Sequence, residues 1–193
     1  MFDNKYYEDI KMDMLANRRT NRRGKLWGDE IWKFILCYRK LEFVYRQHGI
    51  KRGIYYPMML IELIRFHRLS INCGYSIPLN CFEKGMSLAH RGLIVVNGFA
   101  KVGKNCRIHE GVTIGTTGGN NEAPVIGDNV FIGTGAKIIG NIQIANDVAI
   151  GANAVVVKSI DEPGTTWAGN PAKKISNKDS HALLSPLIFQ NKE

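Results

Sequence analysis

Valine or isoleucine stands at positions 96, 102, 108 and 114, and again at 126, 132, 138, 144, 150 and 156, in one six-residue register broken only at Asn120. Four places after these residues the side chains are mostly small or β-branched: Ala100, Cys106, Val112, Gly118, Val130, Ala136, Ile142, Val148 and Ala154. Nothing helical repeats every six residues. The period fits a short strand plus a turn, with three such hexads closing one triangular coil of about eighteen residues. Stacked coils bury an aliphatic column per edge, so Val96, Ile114, Ile132 and Ile150 are expected to form one. Gly103, Gly115, Gly127, Gly133 and Gly151, each directly after an aliphatic position and with Asn nearby, are expected to supply tight corners.

The remainder of the chain reads differently. From Tyr6 to about Leu69 the apolar residues fall at helical spacing, with no Gly or Pro between Glu30 and His48, so a helix is expected there with Gly49 as its stop. A second helix is expected over Met58–Leu69, with Pro57 suiting its first turn. The expected fold is therefore mainly β: a left-handed parallel β-helix over residues 71–160, a small α-helical region over 1–70 that covers one end, and a C-terminal extension over 161–193. After Lys158 the register fades, and the tail should run back along the outside.

Charge and cysteine content narrow the function classes. The net charge of +9 is concentrated at the N-terminus, where residues 1–70 hold 15 Lys/Arg against 8 Asp/Glu, while residues 71–193 hold 11 against 9. No nucleic-acid motif accompanies this excess, so a solvated face is expected and nucleic acid is not; contact with an anionic membrane surface is compatible with it. Neither a signal peptide nor a membrane-spanning run is evident, and a cytoplasmic protein is expected. Cys37, Cys73, Cys81 and Cys106 have no metal-ligand spacing and are expected to be reduced.

Of five histidines, His90 and His109 lie in the repeat, 19 residues apart and so about one coil from each other. A neutral imidazole suits the removal of a hydroxyl proton near neutral pH, and His90 stands where the register slips, in MSLAHRGLIVV. His109 should face outward beside Glu110. The segment TTGGNNEAPV, residues 116–125, lacks an aliphatic anchor and reads as an outward loop, with Gly118 and Gly119 giving it freedom. Lys158, Lys173 and Lys174 offer charge for phosphates. The architecture also serves metal-dependent carbonic anhydrase relatives and non-catalytic scaffolds. A three-histidine metal site would exceed the two histidines in the coils, and no metal is expected.

The stretches IPLNCFEKGMSLAHRGLIVVN, CRIHEGVTIGTTGG, IGDNVFIGTGAKIIGNIQI, AIGANAVVVKSI and AGNPAKKI, in this order, resemble the serine acetyltransferase branch of the hexapeptide acyltransferases, especially its members associated with capsular and exopolysaccharide O-acetylation. The resemblance covers about Ile71 to Ser176. It implies acetyl-CoA as co-substrate, a homotrimer with active sites between subunits, and His90 as the general base. It also implies Thr134 and Ala152 along the pantetheine arm, and Lys158 and Lys173 near the CoA nucleotide. Glu110, His109 or a backbone carbonyl could orient the base.

Three departures accompany it. Ala89 stands where serine acetyltransferases place an aspartate, Glu122 and Ala123 stand before Pro124 in place of an Arg-His pair, and the tail ends in Asn-Lys-Glu rather than in an aliphatic residue. With Glu122 facing a serine carboxylate, the expectation is an O-acetyltransferase acting on a saccharide hydroxyl, with His109, Glu110 and Glu122 toward the acceptor and serine O-acetylation as the alternative.

Overall fold

The computed structural model describes residues 2–118 and 121–190. Gly119, Asn120 and the terminal Asn-Lys-Glu lie outside the described residues, so the expectations placed on them are not addressed by the fold.

The repeat folds as a left-handed parallel β-helix with three faces of short strands. Every aliphatic register position is buried, from Val96 to Val156, and so are the residues four places on, except Gly118. The columns, however, differ from the one expected. One face stacks Val96 on Ile114, Ile138 and Val156. A second stacks Leu88 on Ile108, Ile132 and Ile150. The third stacks Val102 on Ile126 and Ile144. Ile114 thus lies over Ile138, 24 residues on, because the loop between Gly115 and Val125 adds one hexad to its coil. An insertion of one whole hexad leaves the linear register intact while moving every later residue to the next face.

The glycines also work otherwise than expected. At the corners, the left-handed backbone is carried by Asn105, Asn129, Asp147 and Asn153, with φ between 55° and 61°, and by two other glycines, Gly111 and Gly135. Three of these side chains form a ladder, Asn105 donating to Asn129 and Asn129 to Asp147, each at 2.9 Å. Short polar side chains tolerate this region because they bond locally. Gly127 has an ordinary φ, but a Cβ there would lie 2.4 Å from Asn146 Oδ1 and 2.9 Å from its backbone nitrogen. It is needed for the close approach of successive coils, and not for the turn.

Three helices precede the coils: α1 (Asn4–Ala16), α2 (Glu30–Tyr45) and α3 (Gly49–Cys73). Helix α3 starts nine residues before the expected Met58. Gly49 opens it with a positive φ and does not stop α2, and Pro57 sits inside it. The carbonyl that Pro57 leaves unpaired belongs to exposed Gly53, where water can satisfy it. Trp32, Phe34, Ile35 and Tyr38 of α2 share one core with Tyr75, Ile77, Phe82 and the coils, so the helices close that end of the stack. Beneath them lies a buried ionic cluster. Arg39 pairs with Asp13 and Glu42 at 2.8 Å and donates to the carbonyls of Phe82 and Glu83, while Asp13 accepts from the amides of Gly85 and Met86. The two carboxylates hold the Arg39 guanidinium firmly protonated.

At the other end Thr166–Ala168 adds to the second face and Lys173–Ser176 turns back antiparallel to it. The tail then runs back outside the coils, where Leu184 and Ile188, the latter in α4 (Leu187–Gln190), pack with Ala16 and Phe131. No helix among the described residues is long and apolar enough to cross a membrane.

Candidate active site

The face that stacks Leu88, Ile108, Ile132 and Ile150 ends in a single corner, and that corner gathers most of the candidate residues. Two places after the column stand His90, Glu110, Thr134 and Ala152, one above another, with His109 one place after it. The coil lengths that bring them together are unequal, so their spacing along the chain hides their alignment.

His90 sits in the bend between Ser87–Leu88 and Ile94–Val96, where the repeat slips. Its carbonyl accepts from the Tyr75 hydroxyl at 2.7 Å, and Ala89 donates to the Ile108 carbonyl below. Gly92 follows with φ of 145°, and a Cβ there would lie 2.8 Å from Glu110 Cβ. Only glycine lets this bend settle on the coil beneath. The imidazole of His90 is exposed and lies edge-on to that of His109, ring centroids 5.6 Å apart. His109 in turn packs against Phe131 at 5.1 Å. Burial lowers the His109 pKa below the usual histidine value, the Arg107 charge lowers it further, and Glu110 opposes the shift.

Glu110 is tied down from several sides. Its own backbone amide and the Thr134 hydroxyl, at 3.0 Å, help to hold its carboxyl below the usual range. Its second oxygen, Oε2, is buried with no hydrogen-bond partner among the described residues. One ligand atom from each of His90, His109 and Glu110 lies within 4.8 Å of the others, a set whose types and spacing could also accept a metal ion.

The other candidates lie apart from this cluster. Lys158 and Lys173 line a cleft of about 250 Å³ with Trp167, Pro171 and Ala172, at the end of the stack where the tail leaves. Lys174 is paired with Glu162. Glu122 is exposed in the segment before buried Pro124. Sequence reasoning missed Tyr75 and Gly92. Tyr75 precedes the regular register, and its pairing with Ile94 is set only by the fold.

Residues 123–158 match the bacterial transferase hexapeptide (six repeats) family. Over 145 residues the chain is 32% identical to a serine acetyltransferase of Helicobacter pylori, spanning 74% of this chain and 79% of that protein. The chain belongs to the serine acetyltransferase family. It spans only 25% of the mitochondrial serine acetyltransferase 3 of Arabidopsis thaliana, to which it is 44% identical over 98 residues. Among solved structures, a soybean serine acetyltransferase complexed with serine is 28% identical with a TM-score of 0.70, covering 90% of this chain and 70% of that one. The Brucella abortus serine acetyltransferase in complex with coenzyme A is 29% identical with a TM-score of 0.64, covering 90% of this chain and 67% of that one. These relatives overturn the expectation of a saccharide acceptor. Its warrant was the replacement of an Arg-His pair by Glu122 and Ala123, and a change at two loop positions weighs less than likeness across the fold.

Proposed function

We propose that this member of the serine acetyltransferase family transfers the acetyl group of acetyl-CoA to the hydroxyl of serine. The observation that carries the reading is the single corner on which His90, Glu110, Thr134 and Ala152 stack, with His109 beside them. His90 takes the proton of the serine hydroxyl as the oxygen attacks the thioester carbonyl. The tetrahedral oxyanion collapses, the carbon–sulfur bond breaks, and the proton passes to the departing thiolate, giving O-acetylserine and free CoA. Glu110, ionised and close to both rings, offsets the positive charge that His90 gains in this step. It thereby fills the electrostatic role left open by Ala89. Burial keeps His109 neutral near pH 7 beside the base.

The pantetheine arm runs along the corner past Thr134 and Ala152, and Lys158 and Lys173 meet the nucleotide phosphates at the far cleft. Exposed Arg91, adjacent to the base and in a long 3.9 Å ion pair with Glu30, supplies the cation for the serine carboxylate that the loop at Glu122 does not. The working unit is a homotrimer with sites between neighbouring subunits. Four free, buried cysteines suit a reduced, cytoplasmic setting.

The test is thiol release from acetyl-CoA with serine as acceptor. Release that depends on serine and is lost in His90→Ala supports the reading, and release indifferent to serine would sink it. Arg91→Ala should raise the KM for serine several-fold with kcat largely kept.

A further inference from the structure

The helical region carries a surface that neither the coils nor the proposed reaction uses. Leu26 and Trp27 are each 86% exposed at the tip of the loop between α1 and α2. The loop is held in place beneath them. Arg19 makes two 2.7 Å bonds to Asp29, the Lys25 amide donates to Asp29, the Trp32 indole to the Arg22 carbonyl, and the Lys33 ammonium to the Leu26 carbonyl. Gly28 and Asp29 take left-handed backbone at its close. A braced loop that holds an indole and an isobutyl group in water is built to present them.

Helix α3 extends the same surface. Ile50, Ile54, Ile61, Ile64 and Ile71 are all exposed and fall on one stripe of the helix, with Arg68 in it and Arg65 at its edge. Lys33 joins the two parts: it reaches Leu26 and lines a shallow hollow with Arg65, Arg68 and Leu69 of α3. Arg23, Lys51, Arg52 and Arg68 have no ion-pair partner among the described residues. The only carboxylate on α3, Glu62, is buried and already paired with Lys40 and Arg65.

We propose that this face docks on an anionic lipid bilayer. Exposed aliphatic and indole groups interleaved with lysine and arginine are the chemistry of the headgroup boundary. There the apolar tips enter the acyl region while the cations meet lipid phosphates. Charge decides against a second copy as occupant. Two such stripes packed together would set cations against cations with no exposed carboxylate on α3 to answer them, whereas an anionic surface satisfies them all.

The test is co-sedimentation of the full chain with vesicles of phosphatidylcholine alone and of an equal mixture with phosphatidylglycerol, at low and high salt. The mixed vesicles should bind the protein, pure phosphatidylcholine should not, and salt should weaken the binding. The double variant Leu26→Ser/Trp27→Ser should bind about tenfold more weakly with an unchanged melting curve, since both side chains are exposed and support no core. Trp27 emission should shift to the blue on binding. Failure to bind the mixed vesicles at low salt, equal binding to both compositions, or unchanged binding by the double variant would each overturn the proposal. So would light scattering that shows the double variant breaking a larger assembly in the absence of lipid, because the face would then be an interface between copies.

Discussion

The stacked coils and the helical cap are held together in opposite ways. In the coils, Ile108, Ile132 and Ile150 each repeat the same burial and the same backbone bonds to the coils on either side. Stability there is spread along the stack as a sum of similar neighbour terms. In the cap it is concentrated: one guanidinium, Arg39 of α2, ties that helix to α1 through Asp13 and to the first coil through the carbonyls of Phe82 and Glu83, with Glu42 of the same helix as its second carboxylate. A distributed structure tolerates a defect at any one point, while a concentrated one fails at its hub. The candidate active site draws on both regions, because Tyr75, which follows α3, holds the His90 backbone while Glu110 and Thr134 come from regular coils.

Four predictions test this contrast. The largest effect belongs to the corner where the regions meet: His90→Ala should lower kcat by about a hundredfold to ten-thousandfold with acetyl-CoA affinity nearly unchanged, as read by single-turnover kinetics and equilibrium binding. Next, Arg39→Ala should cost about 3–5 kcal/mol in denaturant unfolding, since it strands two buried carboxylates. If the cap is held by this hub, the variant should also lose the buried environment of Trp32 before the coils unfold, and a single coincident transition would show the two regions to be one cooperative unit. Within the coils, Ile132→Val should cost about 0.5–1.5 kcal/mol, because the loss stays in one layer. A cost as large as that of Arg39→Ala would erase the distinction.

The smallest effect is that of acid. The pKa of His109 is lower in the folded protein than the usual ~6.5, so its contribution to stability is complete above that value and is lost as pH falls from there through the folded pKa. Glu110, also lowered, adds a loss at more acidic pH, below its ordinary value of ~4.3. With both groups partly exposed, solvent screening limits each to a few tenths of a kcal/mol. His109→Gln should flatten the melting temperature between pH 7 and the mildly acidic range, and Glu110→Gln should flatten only the more acidic part.

Much of the architecture could be read from residue types alone. Ten aliphatic residues in one register dictate stacked short strands, because only a coil with that repeat can bury them all. His90 and His109 could be paired from their separation, since neighbouring coils place such residues side by side. The acceptor could not be read this way: Glu122 and Ala123 pointed toward a saccharide, whereas the relatives are serine acetyltransferases.

What the tertiary structure alone decided is the alignment of the corner. A linear register counts residues, but a column depends on how many residues each coil spends on its turns and loops. The coils from Leu88 to Ile108, from Ile108 to Ile132 and from Ile132 to Ile150 differ in length. That variation moved Ile132 out of its expected column and put Thr134 against Glu110. The extension of α3 through Pro57 and the hub at Arg39 were likewise settled by packing: contact with α2 outweighs the local preference of a proline, and two carboxylates and two carbonyls offset the burial of the Arg39 charge. Periodic residues fix a fold through local repetition. A site is assembled from residues far apart in the chain, whose meeting depends on every loop between them.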